Sequence, residues 1–340
     1  MLRVKSLLIM LTFTHGISGA TDTENRPSMK VGVTILCDTS FLTSRMKEPA
    51  PKSSVLRYLN VMLHAAEVYF RELECPKIEL YLVDVYNTTR EEEETFEVTN
   101  KVYSTTFMDG PFTLALFQEW VEKSGKFNES DIVILLTSCL LYDYFWSSKQ
   151  GRIDGGISYK DGICTHLRVG VVEDKGRYFD GLRSLVSQIA HLLGTPWDEG
   201  HEAPQCLGED GYLVSLDTSE KPLPMLSNCT KDYIFDKYQD NLDTEQCWMD
   251  TPTPIIERTK ELPVDYFGLE DFCKANRPIF PYDTYCPANH TKWQSAPVCK
   301  LPCCKNDTTY RGPYRSSPDG TNCTGGDGEK VCLSAICVTL

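Results

Sequence analysis

The sequence has little basic character and, beyond its first residues, no long apolar run. Lysine and arginine number 34 against 48 aspartate and glutamate residues, for a formal net charge of -14, and this balance disfavours binding to nucleic acid or to anionic membrane surfaces. The longest later apolar stretch, residues 132–142, is interrupted by Thr137 and Ser138 and is typical of a buried strand with its continuation. We therefore expect no nucleic-acid partner and no membrane insertion.

The N-terminus has the order of a secretory signal peptide. Arg3 and Lys5 precede an apolar run over residues 7–13, and small residues follow up to Ala20. A membrane anchor is the alternative, but the run is too short for a bilayer core of roughly 30 Å. We expect residues 1–20 to be a signal peptide and the protein to be secreted and extracellular.

Cysteine is abundant, and a chain with an export signal forms disulfides in an oxidising compartment. Because there are 15 cysteines, at least one stays unpaired, and we expect it among the seven at positions 37–247. The disulfide candidates are Cys139, Cys164, Cys206, Cys229, Cys273, Cys286, Cys299, Cys303, Cys304, Cys323, Cys332 and Cys337. Six sequons are candidates for glycosylation, which fits the same route: Asn87, Asn128, Asn228, Asn289, Asn306 and Asn322.

Length and pattern predict two domains, the first of α/β class. At 340 residues the chain exceeds one average domain. Apolar periodicity predicts strands over residues 30–38, 77–86 and 131–137 and helices over residues 53–73 and from Pro111 to near Gly125. Strands alternating with helices indicate an α/β layer architecture. The acidic tetrad at residues 91–94 is interpreted as a solvated loop.

The second half of the first domain continues with a strand pair and one more helix. The strands are predicted over residues 157–159 and 167–172, and the helix over residues 179–193, ended by Gly194. Prolines then mark a linker over residues 251–264. A disulfide-linked domain is predicted over residues 265–340, where eight cysteines occur with little apolar periodicity. The first domain is set at residues 28–250.

Residues 187–198, at the end of that last helix, resemble a zinc motif. In metzincin proteases two histidines at i and i+4 share one helix face, and a third follows a glycine turn. Here only the second histidine, His191, is present, together with the turn glycine Gly194. Ser187 and Trp197 stand at the two other ligand positions.

Around that segment the chain is similar to the reprolysin (adamalysin) family of metzincins, and closest to secreted tick salivary metalloproteases, over nearly all of residues 30–340. The matching stretches are residues 76–78, 156–159, 162–164, 171–174, 211–215 and 226–230. The stretch at 211–215 resembles the family's Met-turn, with Val214 in place of methionine. Residues 318–323, with the last two cysteines, resemble its disintegrin-like, cysteine-rich module. The resemblance implies a metzincin-like mixed β-sheet with long helices, followed by a small disulfide-rich irregular domain.

The departures from the motif predict that zinc and catalysis are lost. A zinc protease needs three protein ligands and one position for water, whereas neither the Ser187 hydroxyl nor the Trp197 indole is a usable ligand. Gln188 stands at the general-base position, where an amide cannot accept the proton of the attacking water. We expect no catalytic residue, no metal ligand set and no cofactor, with zinc present only if the family activity is retained.

A rearranged metal site is the alternative. His166 and His201 are the nearest other histidines in the sequence, and His201 with Glu202 could join His191. Metal geometry tolerates little displacement, which disfavours this arrangement. Only residues 21–29 lie between the predicted cleavage site and the first strand, so we also expect no long latency segment of the kind the family carries.

Three functions follow from these observations. The first is a secreted pseudoprotease that binds a host extracellular protein or peptide and modulates haemostasis or immunity; in the family, the strand at 157–159 pairs with extended substrate. The second is adhesion antagonism by the C-terminal module, although Arg311, Gly312 and Pro313 lack the carboxylate that an integrin metal needs and are interpreted as a turn. The third is an active zinc endopeptidase with a non-standard site.

Overall fold

A computed structural model of the protein describes most of the chain. The described residues are 27–47, 53–102, 105–143, 151–153, 155–198, 206, 211–215, 223–240, 250–275, 284–286, 297–304, 315–323 and 330–340. Several sequence predictions concern residues outside these ranges: the signal peptide, His201, Glu202, Asn289, Asn306 and the turn at residues 311–313.

The centre of the first part is a five-stranded mixed sheet in the order β2-β1-β5-β9-β8. Its strands are β1 (Ser28–Cys37), β2 (Lys77–Asn87), β5 (Ile132–Thr137), β8 (Gly156–Ser158) and β9 (Val169–Glu173). Strands β2, β1, β5 and β9 run parallel to one another, and β8 runs antiparallel to β9. Among the described strands β8 has β9 as its one neighbour, so its other side is a sheet edge.

Helices cover both faces of this sheet. On one side lie α2 (Val55–Tyr69) and α5 (Leu182–Leu192), and on the other lies α4 (Gly110–Ser124). Alternate residues of β5 therefore enter two cores, with Ile134 facing α2 and α5 and Leu135 facing α4. Because both faces are covered, β5 is apolar almost throughout, as its sequence predicted.

The remaining described elements complete the first part. A four-stranded sheet in the order β3-β4-β6-β7 comprises β3 (Thr99–Val102), β4 (Thr105–Asp109), β6 (Leu140–Asp143) and β7 (Gly151–Arg152). The short helices are α1 (Thr39–Arg45) and α3 (Arg90–Phe96), and α6 (Asn228–Asp240) follows the candidate site. The expected mixed α/β fold is confirmed, with α4 ended at Gly125 by a left-handed φ of 61°.

Two local predictions are wrong. The acidic tetrad lies in α3 rather than in a loop, because Thr89 and Glu92 form a capping box and Glu93 is buried. Glu93 accepts hydrogen bonds from the backbone N–H and the hydroxyl of Thr39, at 2.7 and 2.8 Å. The helix predicted from residue 179 begins at Leu182, since Phe179 has a φ of 60° and stacks on Tyr58 with 4.2 Å between ring centroids.

The C-terminal part is held by disulfides and short strand pairs. Its four bonds join Cys273 to Cys303, Cys286 to Cys304, Cys299 to Cys332 and Cys323 to Cys337. Its elements are α7 (Pro263–Tyr266), α8 (Leu269–Ala275), β10 (Thr284–Tyr285), β11 (Lys300–Leu301), β12 (Cys303–Cys304), β13 (Arg315–Ser316), β14 (Lys330–Leu333) and β15 (Ile336–Thr339). A small irregular fold of this kind depends on its cross-links because its core is small.

In the first part, Cys206 is bonded to Cys229, and Cys164 is also in a disulfide. Cys139 is a free thiol, as are Cys37 and Cys75, which corrects the expectation that Cys139 forms a disulfide. Cys139 lies buried just after β5, and this burial raises the pKa of its thiol to about 11. A buried, protonated thiol behaves as a small apolar side chain.

The segment predicted as a linker is packed along the first part. The N–H of Ile255 donates to the carbonyl of Leu82 at 2.9 Å, and Glu261 accepts two hydrogen bonds from Arg57 at 2.8 and 2.9 Å. Beyond it, Phe267 and Leu333 share the core that contains α2.

Four of the predicted glycosylation positions lie among the described residues. Asn87, Asn128, Asn228 and Asn322 are exposed, as glycan attachment requires. No described helix combines the length and apolarity needed to cross a membrane.

Candidate functional site

Helix α5 forms the base of the site and presents two rows of side chains at i, i+4 spacing. Ser184 and Gln188 face β8, where a Cβ on Gly156 would lie 2.9 Å from the Gln188 Cγ. Arg183 and Ser187 face the segment at residues 211–215, to which both donate hydrogen bonds. The helix is therefore clamped between a strand and a loop, and a groove opens above it.

A buried carboxylate sets the start of this helix. Asp174, directly after β9, accepts hydrogen bonds from the Tyr58 hydroxyl and the Gly181 N–H, both at 2.8 Å, and from the Gly176 N–H. Burial, together with the nearby Asp180 carboxylate, raises the pKa of Asp174 to about 7. The contacts fix the turn that leads from the sheet into α5, so they position every side chain on the groove floor.

His191 is held at the end of α5 by its backbone neighbours and by Trp197. Its Nδ1 donates to the Thr195 carbonyl at 2.8 Å, which leaves Nε2 as the unprotonated nitrogen of the neutral ring. Nε2 is buried and has no hydrogen-bond partner in the described part of the chain. The Trp197 indole packs edge-on against the imidazole, with 4.0 Å between ring centroids. Burial lowers the pKa of His191.

The other motif positions are engaged in local hydrogen bonds. The Ser187 hydroxyl donates to the Leu213 carbonyl at 2.8 Å, and the Gln188 Oε1 accepts from the Ser158 hydroxyl at 2.9 Å. Gln188 thus ties the helix to β8. No proton acceptor of carboxylate type stands at this position.

The loops after α5 are braced by Asp198 and Val214. The Asp198 N–H donates to the Val214 carbonyl at 3.0 Å, and the Asp198 carboxylate accepts from the Ser227 hydroxyl at 2.6 Å. Val214, at the Met-turn position, is fully buried beneath the groove. These contacts hold the loop at residues 211–215 against the segment that follows α5.

The described residues do not fit a zinc ion at the motif. The Ser187 hydroxyl is directed to a carbonyl oxygen, the Trp197 ring packs against the His191 imidazole, and the His191 Nε2 is buried. His166 is exposed on the loop before β9. The one group of three potential ligands among the described residues is Cys299, Cys323 and Cys332, and all three are in disulfides.

A cavity of about 650 Å³ lies over α5, within the range of small-molecule and peptide side-chain pockets. Its floor is α5, one wall is β8, and the opposite wall is formed by Trp197, Leu213 and Ser215. The charged residues that line it are Asp143, Glu173, Lys175, Asp180 and Arg183. Sequence reasoning identified the motif positions and β8 but missed these charges, because four of them lie between the end of β9 and the first turn of α5, a stretch outside the zinc motif, and Asp143 is brought to them by the fold.

The mixed sheet, the long helices and the α5 segment define a metalloprotease-like α/β protein. The curated relatives of the chain are scorpion venom metalloproteinases. It is 25% identical over 233 residues to the antarease-like TfasMP_A of Tityus fasciolatus, across 63% of this chain and 95% of that protein. It is 26% identical over 182 residues to BumaMPs1 of Olivierus martensii, across 53% of this chain and 46% of that protein. No family model matches the sequence.

The TserMP_B protein of Tityus serrulatus is similar at the same level, 25% identical over 233 residues, across 63% of this chain and 95% of its own length. The chain spans less than half of the longer Olivierus martensii relative, 46%. These similarities support descent from a metalloprotease scaffold.

Proposed function

We propose that this chain is a secreted metalloprotease homologue that binds an extended segment of a host extracellular protein in its cleft and does not hydrolyse it. The observation that carries the proposal is the arrangement of Ser187, His191 and Trp197. The Ser187 hydroxyl donates a hydrogen bond to a carbonyl, and the Trp197 indole packs against the His191 imidazole. Together the three residues supply one usable nitrogen, that of His191, where a zinc protease needs three ligands.

The absence of a base adds to this argument. Gln188 occupies the general-base position and uses its Oε1 to accept a hydrogen bond from Ser158. Losing a general base removes roughly 10² to 10⁴ in rate on its own. Since the acidified water and the polarised carbonyl also depend on a metal, we expect no measurable peptide hydrolysis.

Binding is supported by the groove that remains. The edge of β8 borders the cavity over α5, and an exposed strand edge holds extended peptides by backbone hydrogen bonds that need no metal. A host protein that acts in haemostasis or immunity is the class of target we propose, because the relatives are venom proteins by name.

The proposal predicts that the protein secreted from eukaryotic cells contains substoichiometric zinc and cleaves neither casein nor gelatin. Elemental analysis and a chelator-controlled cleavage assay measure this, with TfasMP_A produced in the same way as the reference. One zinc per chain together with chelator-sensitive cleavage would instead establish an active endopeptidase with a non-standard site.

A further inference from the structure

Arg183 occupies an electrostatically unfavourable position on the floor of the cavity. It lies in the first turn of α5, where the helix dipole disfavours a cation. Within the described part of the chain, its hydrogen-bond partners are three backbone carbonyls: Leu223 and Tyr212 at 2.9 Å each, and Gly211 at 3.5 Å. No described carboxylate lies within ion-pair distance of it. A partly buried guanidinium usually has an acidic partner, because desolvating an unpaired charge is costly.

The other cavity cation has such a partner. Lys175 lies 3.8 Å from the Asp180 carboxylate. Among the described residues, Arg183 is therefore the cation of this cavity that has no carboxylate beside it. Its three carbonyl contacts use only the two terminal nitrogens, and a guanidinium has five N–H donors in a planar fork suited to a carboxylate.

The Ser184 hydroxyl, next to Arg183 on the floor, adds a donor of the same kind, whereas the Ser187 hydroxyl already donates to the Leu213 carbonyl. Ser184 and Ser187 line the cavity, and Ser187 follows Arg183 by one helical turn, a rise of about 6 Å. A peptide paired with β8 sends alternate side chains toward the floor, about 7 Å apart. Such spacing brings one ligand side chain to the level of Arg183.

We propose that Arg183 selects a peptide with a carboxylate at the position over the first turn of α5. The carboxylate belongs to an aspartate or glutamate side chain or to the C-terminus of the peptide. This inference rests on the proposed function, in which the cleft binds an extended peptide.

The test uses the full-length secreted protein and a library of fluorescent hexapeptides, blocked at both ends, with Glu, Gln, Leu or Lys fixed at each position in turn. Fluorescence anisotropy should reveal one position at which Glu binds roughly ten- to hundredfold more tightly than Gln, as a charge-assisted hydrogen bond supplies. A second set with a free C-terminal carboxylate separates the two sources: tighter binding of the free acid than of the amide assigns the C-terminus.

The variant Arg183→Gln should bind the Glu and Gln peptides equally, so that the preference for Glu is lost whatever the overall affinity becomes. A merely structural role for Arg183 would weaken all peptides together. The control is Lys175→Gln, in which the cavity loses a cation that already has a partner and the Glu preference should persist.

Equal affinity of the unaltered protein for Glu, Gln and free-acid peptides would overturn the inference while leaving peptide binding in place. Binding of no peptide at all would overturn the proposed function and this inference with it. If Arg183→Gln fails to fold, the comparison of ligands on the unaltered protein decides the question.

Discussion

At the residue scale, His191 is packed as a buried side chain of the core. In a metal site the imidazole Nε2 needs an open face, whereas here Trp197 lies against the ring and Thr195 fixes the tautomer. The histidine is then a buried neutral side chain that packs, and its protonation would place an unpaired charge in the interior.

This environment predicts a pH dependence of stability that belongs to His191. The ordinary histidine pKa is 6.5, and burial lowers it in the folded protein. Below pH 6.5 the unfolded chain therefore takes up a proton that the folded protein does not, and the free energy of unfolding falls as the pH is lowered. In His191→Gln, which has no titratable side chain, this contribution disappears.

Urea denaturation at a series of pH values measures the effect as the difference between the unaltered protein and His191→Gln. The difference should be constant above about pH 7.5 and should shift against the unaltered protein toward pH 5. His166→Gln, at an exposed position, serves as the control and should follow the unaltered protein. A difference that does not vary with pH would show that His191 does not titrate in this way.

At the element scale, β8 is the strand on which peptide binding depends. Glu173 N–H donates to the Gly155 carbonyl, and Ile157 pairs with Val171. Since backbone groups alternate in direction along a strand, Gly156 and Ser158 present their N–H and C=O groups to the free edge. A peptide added at this edge would bond to those two residues.

Ser158→Pro should therefore abolish peptide binding, because proline removes an outward N–H without removing a bond to β9. Ser158→Ala is the matched control: it loses the hydroxyl that reaches Gln188 but keeps the backbone donor. Fluorescence anisotropy with the peptides that the unaltered protein binds measures both variants. Unchanged affinity in Ser158→Pro would exclude the strand edge as the binding element.

At the scale of the whole molecule, the cysteine-rich part is not a free appendage. The Tyr69 hydroxyl, at the end of α2, donates to the partly buried Asp319 carboxylate at 2.6 Å and lies 2.8 Å from the Ser334 hydroxyl. Leu333 lies in the same core as α2. We therefore expect the described parts to unfold together.

Tyr69→Phe should lower the free energy of unfolding by about 1–3 kcal/mol, since it leaves the partly buried Asp319 carboxylate with one donor fewer. Urea denaturation followed by tryptophan fluorescence and by circular dichroism should show one coincident transition in both proteins. Tyr159→Phe is the control, because the Tyr159 hydroxyl makes no hydrogen bond to a described residue. A loss as small as in the control would mean that the contact does not couple the two parts.

Local pattern predicted much of this architecture. The apolar run of β5, the helical spacing in α2 and the Pro111 and Gly125 boundaries of α4 are short-range signals, and each matches an observed element. The charge run at residues 91–94 misled, because a capping box and the burial of Glu93 outweigh the polarity of its neighbours. The prediction that Cys139 forms a disulfide was wrong for a similar reason, since the number of cysteines does not say which of them lie close enough to bond.

By itself the sequence determined the class of the fold, because the periodicity of strands and helices follows from residue identity along the chain; the departures from a zinc motif at Ser187, Gln188 and Trp197 stay a prediction. Only the tertiary structure decided that Trp197 packs against His191, that Arg183 lies on the cavity floor with no described carboxylate beside it, and that residues 251–264 are packed. Those properties depend on which distant segments share a surface, and burial and charge pairing are set there by the assembled fold.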